Sequence, residues 1–208
     1  MRARDIIGAA RRASSETWPN RSPSGTLLVV EGSDESLMLR VKAGDPGAFA
    51  ALYHRHKTPL LNFCYQMLRN YEDAADVFQD AFRYLFTHAA SYEPSAKFTT
   101  YLYRIARNRC IDILRKRRRW NLQPLETDVD APGGEPRLDA QEVEAHLKRA
   151  MEEVPEPYRE VVILRIVQGM EYADIATVVE SPLGTVKSRL HVGLELLRKI
   201  LKRKKMVE

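Results

Sequence analysis

Three groups of side chains in this sequence have types and spacings that suit nucleic acid. From Arg104 to Arg119 eight basic residues stand with a single acid, Asp112. On a helix, Arg104, Arg107, Ile111, Arg115 and Arg118 share one face, with Asn108 beside it, while Leu102, Ile105, Ala106, Cys110 and Ile113 share the opposite one. A basic stripe backed by an apolar stripe suits a helix lying on a phosphate backbone, where neutralised phosphates release counterions. A solvated arginine-rich face has the same pattern, but few acids stand nearby to pair with it. The second group is "SPLGTVKSRLH". Leu183, Val186, Leu190, Leu194, Leu197 and Leu201 form an inward stripe, leaving Gly184, Thr185, Ser188, Arg189 and Val192 outward with Lys187 and His191 on the shoulders. Short polar and basic side chains at a helix start can reach phosphates and base edges. The third group is aromatic: Tyr84, Phe86, Tyr92, Phe98, Tyr101 and Tyr103 precede or enter the basic helix. Rings beside a basic stripe can stack unpaired bases, at about 1–3 kcal/mol per base, although each ring also fits a core position.

A fourth group has the opposite charge. In "DVFQDAF", Asp76, Gln79, Asp80 and Arg83 lie across the helix from an apolar stripe of Ala74, Val77, Phe78, Ala81, Phe82 and Leu85. An acidic face repels DNA, so it reads either as a solvated face or as a protein-docking patch. Nothing in the sequence sets a nucleophile beside a base, pairs carboxylates for acid–base work, or forms a phosphate-cradling glycine loop. The two cysteines, Cys64 and Cys110, form no CxxC or Cys/His cluster and sit in apolar stretches, which predicts core thiols. The reading is of a non-enzymatic protein that needs no metal or cofactor.

The elements that position these residues are helical. The pattern predicts a helix in "SDESLMLRVKAG" and a second opened by Asp45-Pro46, a good cap and first-turn pair, with Pro59 kinking or restarting it. The helix of "YEDAADVFQDAFRYLF" and a long one from Phe98 to Arg119 follow. A short helix bearing Tyr172, Ile175, Ala176 and Val179 precedes the last, for which Ser181 is placed as N-cap and Pro182 as first residue; this pair matches a helix-turn-helix or an ordinary helical hairpin. From Trp120 to Ala145 there are seven acids and one base, with Gly and Pro, a composition that marks a linker. The expected architecture is all-α, with two small domains joined by a flexible linker. Residues 1–32 form an extension, 33–119 a bundle, 120–140 the linker and 141–208 the helix-turn-helix domain. The chain has 208 residues, a net charge of +5 and a pI of about 9.2. No apolar run approaches the roughly 18 residues of a membrane span, so the expectation is a cytoplasmic protein.

Taken together, "YEDAADVFQDAFRYLF", "FTTYLYRIARNRCIDILRKRRR" and "VPEPYREVVILRIVQGMEYADIATVVESPLGTVKSRLH" resemble, in order, a sigma factor of the sigma-70 family, of the short extracytoplasmic-function type. The resemblance spans about 33–119 and 144–202. It implies that Asp76, Gln79 and Asp80 contact the β′ clamp helices of core RNA polymerase, with the β subunit also engaged. Arg104, Arg107, Asn108 and Arg115, with Phe98 and Tyr101, would hold and melt the −10 element, and the loop from His88 to Lys97 would take a flipped base. Thr185, Lys187, Ser188 and His191 would enter the −35 major groove, with Arg189 near the DNA backbone. An anti-sigma factor is an implied partner. The chain departs from the family pattern at Val192, where a basic residue is usual, at Tyr101, often Trp, and at Glu171, usually a Ser/Thr cap. Two other readings of the same residues are a stand-alone helix-turn-helix regulator and a protein that occupies core polymerase without reading DNA.

Overall fold

The computed structural model describes residues 32–120 and 147–203. Of the expected extension and linker, only Gly32 and Trp120 fall within it; the rest lies outside the described residues. The described residues form helices and short connections, with no strand, in two compact units.

The first unit has four helices. α1, Asp34–Lys42, is capped by Ser33, whose side chain accepts from the Ser36 amide, and it carries acids in its first turn and bases in its last. That order complements the helix dipole. α2, Pro46–Leu68, starts on the Asp45 side chain, which accepts from the amides of Gly47 and Ala48. It continues through Pro59 as one element rather than restarting. One missing backbone bond costs less than losing the packing on both sides of it, where Leu52, His56, Leu60 and Phe63 are buried. α2 ends at Arg69, which takes a left-handed conformation (φ 56°) and leads directly to Asn70, the cap of α3. α3, Tyr71–Thr87, buries Ala74, Val77, Phe78, Ala81, Phe82 and Leu85, the stripe expected from the sequence.

A single tight turn at Ala89–Ser91 leads through an irregular loop to α4, Phe98–Arg119. α4 packs against both α2 and α3. Its buried arc is therefore wider than one stripe and includes Ile111, which the sequence pattern sets on the basic face. Cys64 on α2 and Cys110 on α4 are both buried. Burial and, above all, a hydrogen bond with Cys64 push the Cys110 thiol well above its ordinary range.

In the second unit, residues 147–153 are helical (α5). α6, Glu156–Val162, runs into a wider turn, Ile163–Val167, in which the Gln168 amide donates to the Ile163 carbonyl. α7 is Tyr172–Val178 and α8 is Leu183–Arg203. Ala150, Val154, Leu197 and Leu201 join α5 to the far half of α8, with Leu147, Met151, Tyr158 and Ile200 packed around them. Nearer its start, α8 meets α6 at Gly193, where an added Cβ would lie 2.7 Å from Val162 Cγ2 and 3.2 Å from the Tyr158 carbonyl oxygen. This glycine lets the two helices touch.

Two expectations for α8 need correction. Ser181 does not stand directly before the first helical residue; its hydroxyl donates back to the Val179 carbonyl (3.3 Å). Leu183, expected inward, is 44% exposed, whereas Val186 in the same first turn is fully buried. Among the described residues no helix is long and apolar enough to cross a membrane.

Candidate nucleic-acid and protein interfaces

The exposed side of α3 follows directly from its buried stripe. Asp76 and Gln79 are exposed, and Asp80 is half-exposed and paired with Arg83 one turn on. Asp73, on the same helix, has another task. Its carboxylate receives Arg117 from α4, whose guanidinium also donates to the Leu68 carbonyl at the end of α2 (2.7 Å). One arginine of the basic run thus turns inward and ties three helices together.

On α4 the cations divide. Arg115 and Arg118 are exposed, Arg115 lying 3.7 Å from Asp112. Asn108 is exposed and accepts from the Arg107 guanidinium (3.3 Å). Arg104 lies 5.9 Å from the centre of the Tyr101 ring, within cation–π range. Tyr101 is half-buried against Tyr92, with ring centres 5.6 Å apart, and burial raises its phenol above the ordinary value. Phe98 differs from expectation. It is fully buried beside His56, so its ring supports the start of α4 from within and is not presented for stacking. Tyr92 and Tyr103 are buried as well, while Tyr84 and Phe86 are exposed.

The loop before α4 is mostly exposed, apart from the buried Ala89 and Tyr92. It is held by two residues that the sequence does not single out. Lys42 Nζ donates to the Tyr92 carbonyl (3.0 Å), and Glu35 Oε1 accepts from the Phe98 amide (2.9 Å). Lys97 stands at the N-cap position of α4 without a capping bond from its side chain to the helix start, and a carboxylate 63 residues away satisfies an amide there. That amide is the main cause of the lowered Glu35 pKa.

On α8 the outward residues Thr185, Ser188 and Val192 lie along one face, with His191 beside them. Thr185 is half-exposed and the other three are exposed. Ser188 Oγ donates to the Thr185 carbonyl (3.0 Å), and His191 is 3.8 Å from Glu195. Lys187 is exposed and lies 5.9 Å from the Tyr172 ring, which Arg165 approaches at 4.8 Å. Arg189 turns away from this face. Its guanidinium is 3.6 Å from the Glu160 carboxylate, itself only 2% exposed, and 3.5 Å from Ser181 Oγ. Arg189 therefore positions α8 against α6, a contact that no local pattern reveals.

The site chemistry is recognition. Exposed guanidinium, ammonium, hydroxyl and amide groups lie on two helices, and a separate carboxylate-bearing face lies on a third. Among the described residues no cluster of His, Cys, Asp or Glu is arranged to hold a metal.

Comparison with known proteins adds to this geometry. Residues 52–120 match the family model of Sigma-70 region 2, and residues 145–197 that of Sigma-70, region 4. The ECF RNA polymerase sigma factor SigW of Bacillus subtilis is 32% identical over 175 residues, covering 78% of this chain and 94% of that protein. The fold is similar to that of CnrH, solved with the cytosolic domain of CnrY (TM-score 0.65, 23% identity, covering 83% of this chain and 99% of that one). It is also similar to the sigma factor RpoE of Bartonella quintana, solved with the anti-sigma factor NepR (TM-score 0.60, 24% identity, covering 81% and 96%).

Proposed function

The chain belongs to the ECF group of the sigma-70 family of RNA polymerase sigma factors, and on that premise we propose that it binds core RNA polymerase and directs promoter-specific initiation through three separate surfaces. The face of α3 bearing Asp76, Gln79 and Asp80 docks on the β′ subunit. Arg104, Arg107, Asn108 and Arg115, with Tyr101, grip and open the −10 element, and the loop from His88 to Lys97 receives an unstacked base. Thr185, Lys187, Ser188 and His191 read the −35 element in the major groove. In domain terms, residues 33–119 act as region 2, residues 141–208 as region 4, and residues 120–140 link them.

The observation that carries this reading is the segregation of charge within one bundle. The carboxylates of α3 face away from its own buried stripe, while the cations of α4 are on another helix. A polymerase contact through the first leaves the second free for DNA. Taking a base out of the stack costs a few kcal/mol, and ring stacking returns about 1–3 kcal/mol. Melting therefore needs a ring already fixed in place, as Tyr101 is by Tyr92 and Arg104.

The similar RpoE structure was solved with an anti-sigma factor, which supports a protein of that class as a partner here. The reading is tested by measuring the affinity for core polymerase. Asp80→Arg places a like charge in a complementary contact and should weaken binding at least tenfold, a change of about 1.4 kcal/mol. Unchanged core binding by both Asp80→Arg and Asp76→Arg would remove the docking face from the account.

A further inference from the structure

We infer that Val192 reads the 5-methyl group of a thymine at the edge of the −35 element, so that part of this protein's promoter preference is carried by an apolar contact. The inference rests on the proposed −35 role of α8. Val192 is 37% exposed and belongs to a set of outward residues, Thr185, Ser188 and Val192, at i, i+3 and i+7 on one helix face. All three are short and uncharged. Gly184, in the first turn, adds no side chain. An added Cβ at Gly184 would meet nothing within 4 Å, so the packing of the unit does not require a glycine there. Along the line of Thr185, Ser188 and Val192 the side chains are short, so this strip of the helix can approach the groove floor closely, with Lys187 and His191 reaching past it on either side. Glu195, exposed and one turn beyond Val192, would repel phosphate, so the groove-facing stripe ends at Val192.

The chemistry of the major groove narrows what this side chain can recognise. Each base edge offers a hydrogen-bond donor, an acceptor or both, and thymine alone adds an apolar group, its C5 methyl. A valine neither donates nor accepts, so the methyl is the one base-specific feature it can favour. Burying one methyl-sized group is worth about 0.8 kcal/mol, or roughly fourfold in affinity.

Thymine and deoxyuridine differ only by that methyl, which makes the test direct. A promoter is first selected by the reconstituted holoenzyme from a library randomised across the −35 element. Each −35 thymine is then replaced singly by deoxyuridine, and competition binding is measured for the wild-type chain and Val192→Ala. At one thymine the wild-type holoenzyme should lose about fourfold on removal of the methyl. Val192→Ala should bind the two DNAs almost equally, while Val192→Thr, which retains one methyl, should fall between. A wild-type protein that selects no −35 thymine, or a methyl effect unchanged by Val192→Ala, overturns the inference while leaving the sigma reading intact. If the unmodified holoenzyme selects no −35 sequence at all, the underlying −35 reading fails instead.

Discussion

The same substitution at two glycines of α8 should have different consequences. At Gly193 an alanine Cβ would stand 2.7 Å from Val162 Cγ2, against an ordinary carbon–carbon separation of about 3.5–4.0 Å. It would also stand 3.2 Å from the Tyr158 carbonyl oxygen and 3.3 Å from Tyr158 Cβ. Val162 is buried and stiff at χ1, and a backbone carbonyl cannot rotate away, so α8 must shift from α6. Such overpacking costs about 1–3 kcal/mol. At Gly184 the added methyl meets nothing within 4 Å. Replacing glycine by alanine within a helix otherwise gains up to ~1 kcal/mol at either site. The difference between the two variants therefore isolates the overpacking term. In thermal unfolding of the full chain, followed by calorimetry, Gly193→Ala should melt its unit below Gly184→Ala by about 4–8 °C for each kcal/mol. Gly184→Ala should match or exceed the wild type in stability yet bind −35 DNA less tightly within the holoenzyme. Equal melting of the two variants, within about 0.5 kcal/mol, would refute the close α6–α8 contact.

Other outcomes follow from single contacts. Arg117→Ala should destabilise the first unit by about 1.5–3 kcal/mol in denaturant titration, because it removes charged hydrogen bonds to Asp73 and the Leu68 carbonyl. Arg115→Ala, at an exposed position, should change stability by less than about 0.5 kcal/mol while lowering the salt slope of promoter binding by about one unit. His56 is held below its ordinary value of 6.5, chiefly by burial, against the opposing pull of Asp34 at 2.8 Å; Arg55 also lowers it. The unfolded chain then takes up this proton at a higher pH than the folded one. Stability should be complete above about 6.5 and fall as the pH drops below it, by at most ~1.4 kcal/mol per pH unit from this group; His56→Gln should flatten that part of the profile. Cys64 and Cys110 should not react with a thiol reagent in the native protein and should both react in denaturant, as their burial requires.

The helices and their main faces were legible in the sequence because local periodicity fixes them. The six buried residues of α3 are those of its apolar stripe, and the same stripe leaves Asp76 and Gln79 outside. The sequence pattern sets Ile111 on the basic face, but α4 is covered by two neighbouring helices, which no single period describes, and Ile111 is buried. Phe98 looked like a stacking ring because aromatics near arginines suit both uses; only the tertiary structure places it beside His56. Glu35, Arg117 and Arg189 act on partners distant in sequence, so their roles as a remote cap and two inward anchors leave no local trace. Gly193 did leave one, a glycine within an otherwise strong helical pattern, which points to close backbone approach.

The proposed role of this chain is to give core RNA polymerase a promoter preference. Run-off transcription with purified core polymerase, on templates bearing promoters mapped from transcript starts after overexpression, tests it most directly. Discrete transcripts should appear that require the protein and the promoter, and they should be lost with Asp80→Arg or with Arg104 and Arg107 both changed to Ala. No promoter-dependent transcript from the wild-type chain, together with tight binding to the same DNA without polymerase, would contradict it and favour a stand-alone regulator.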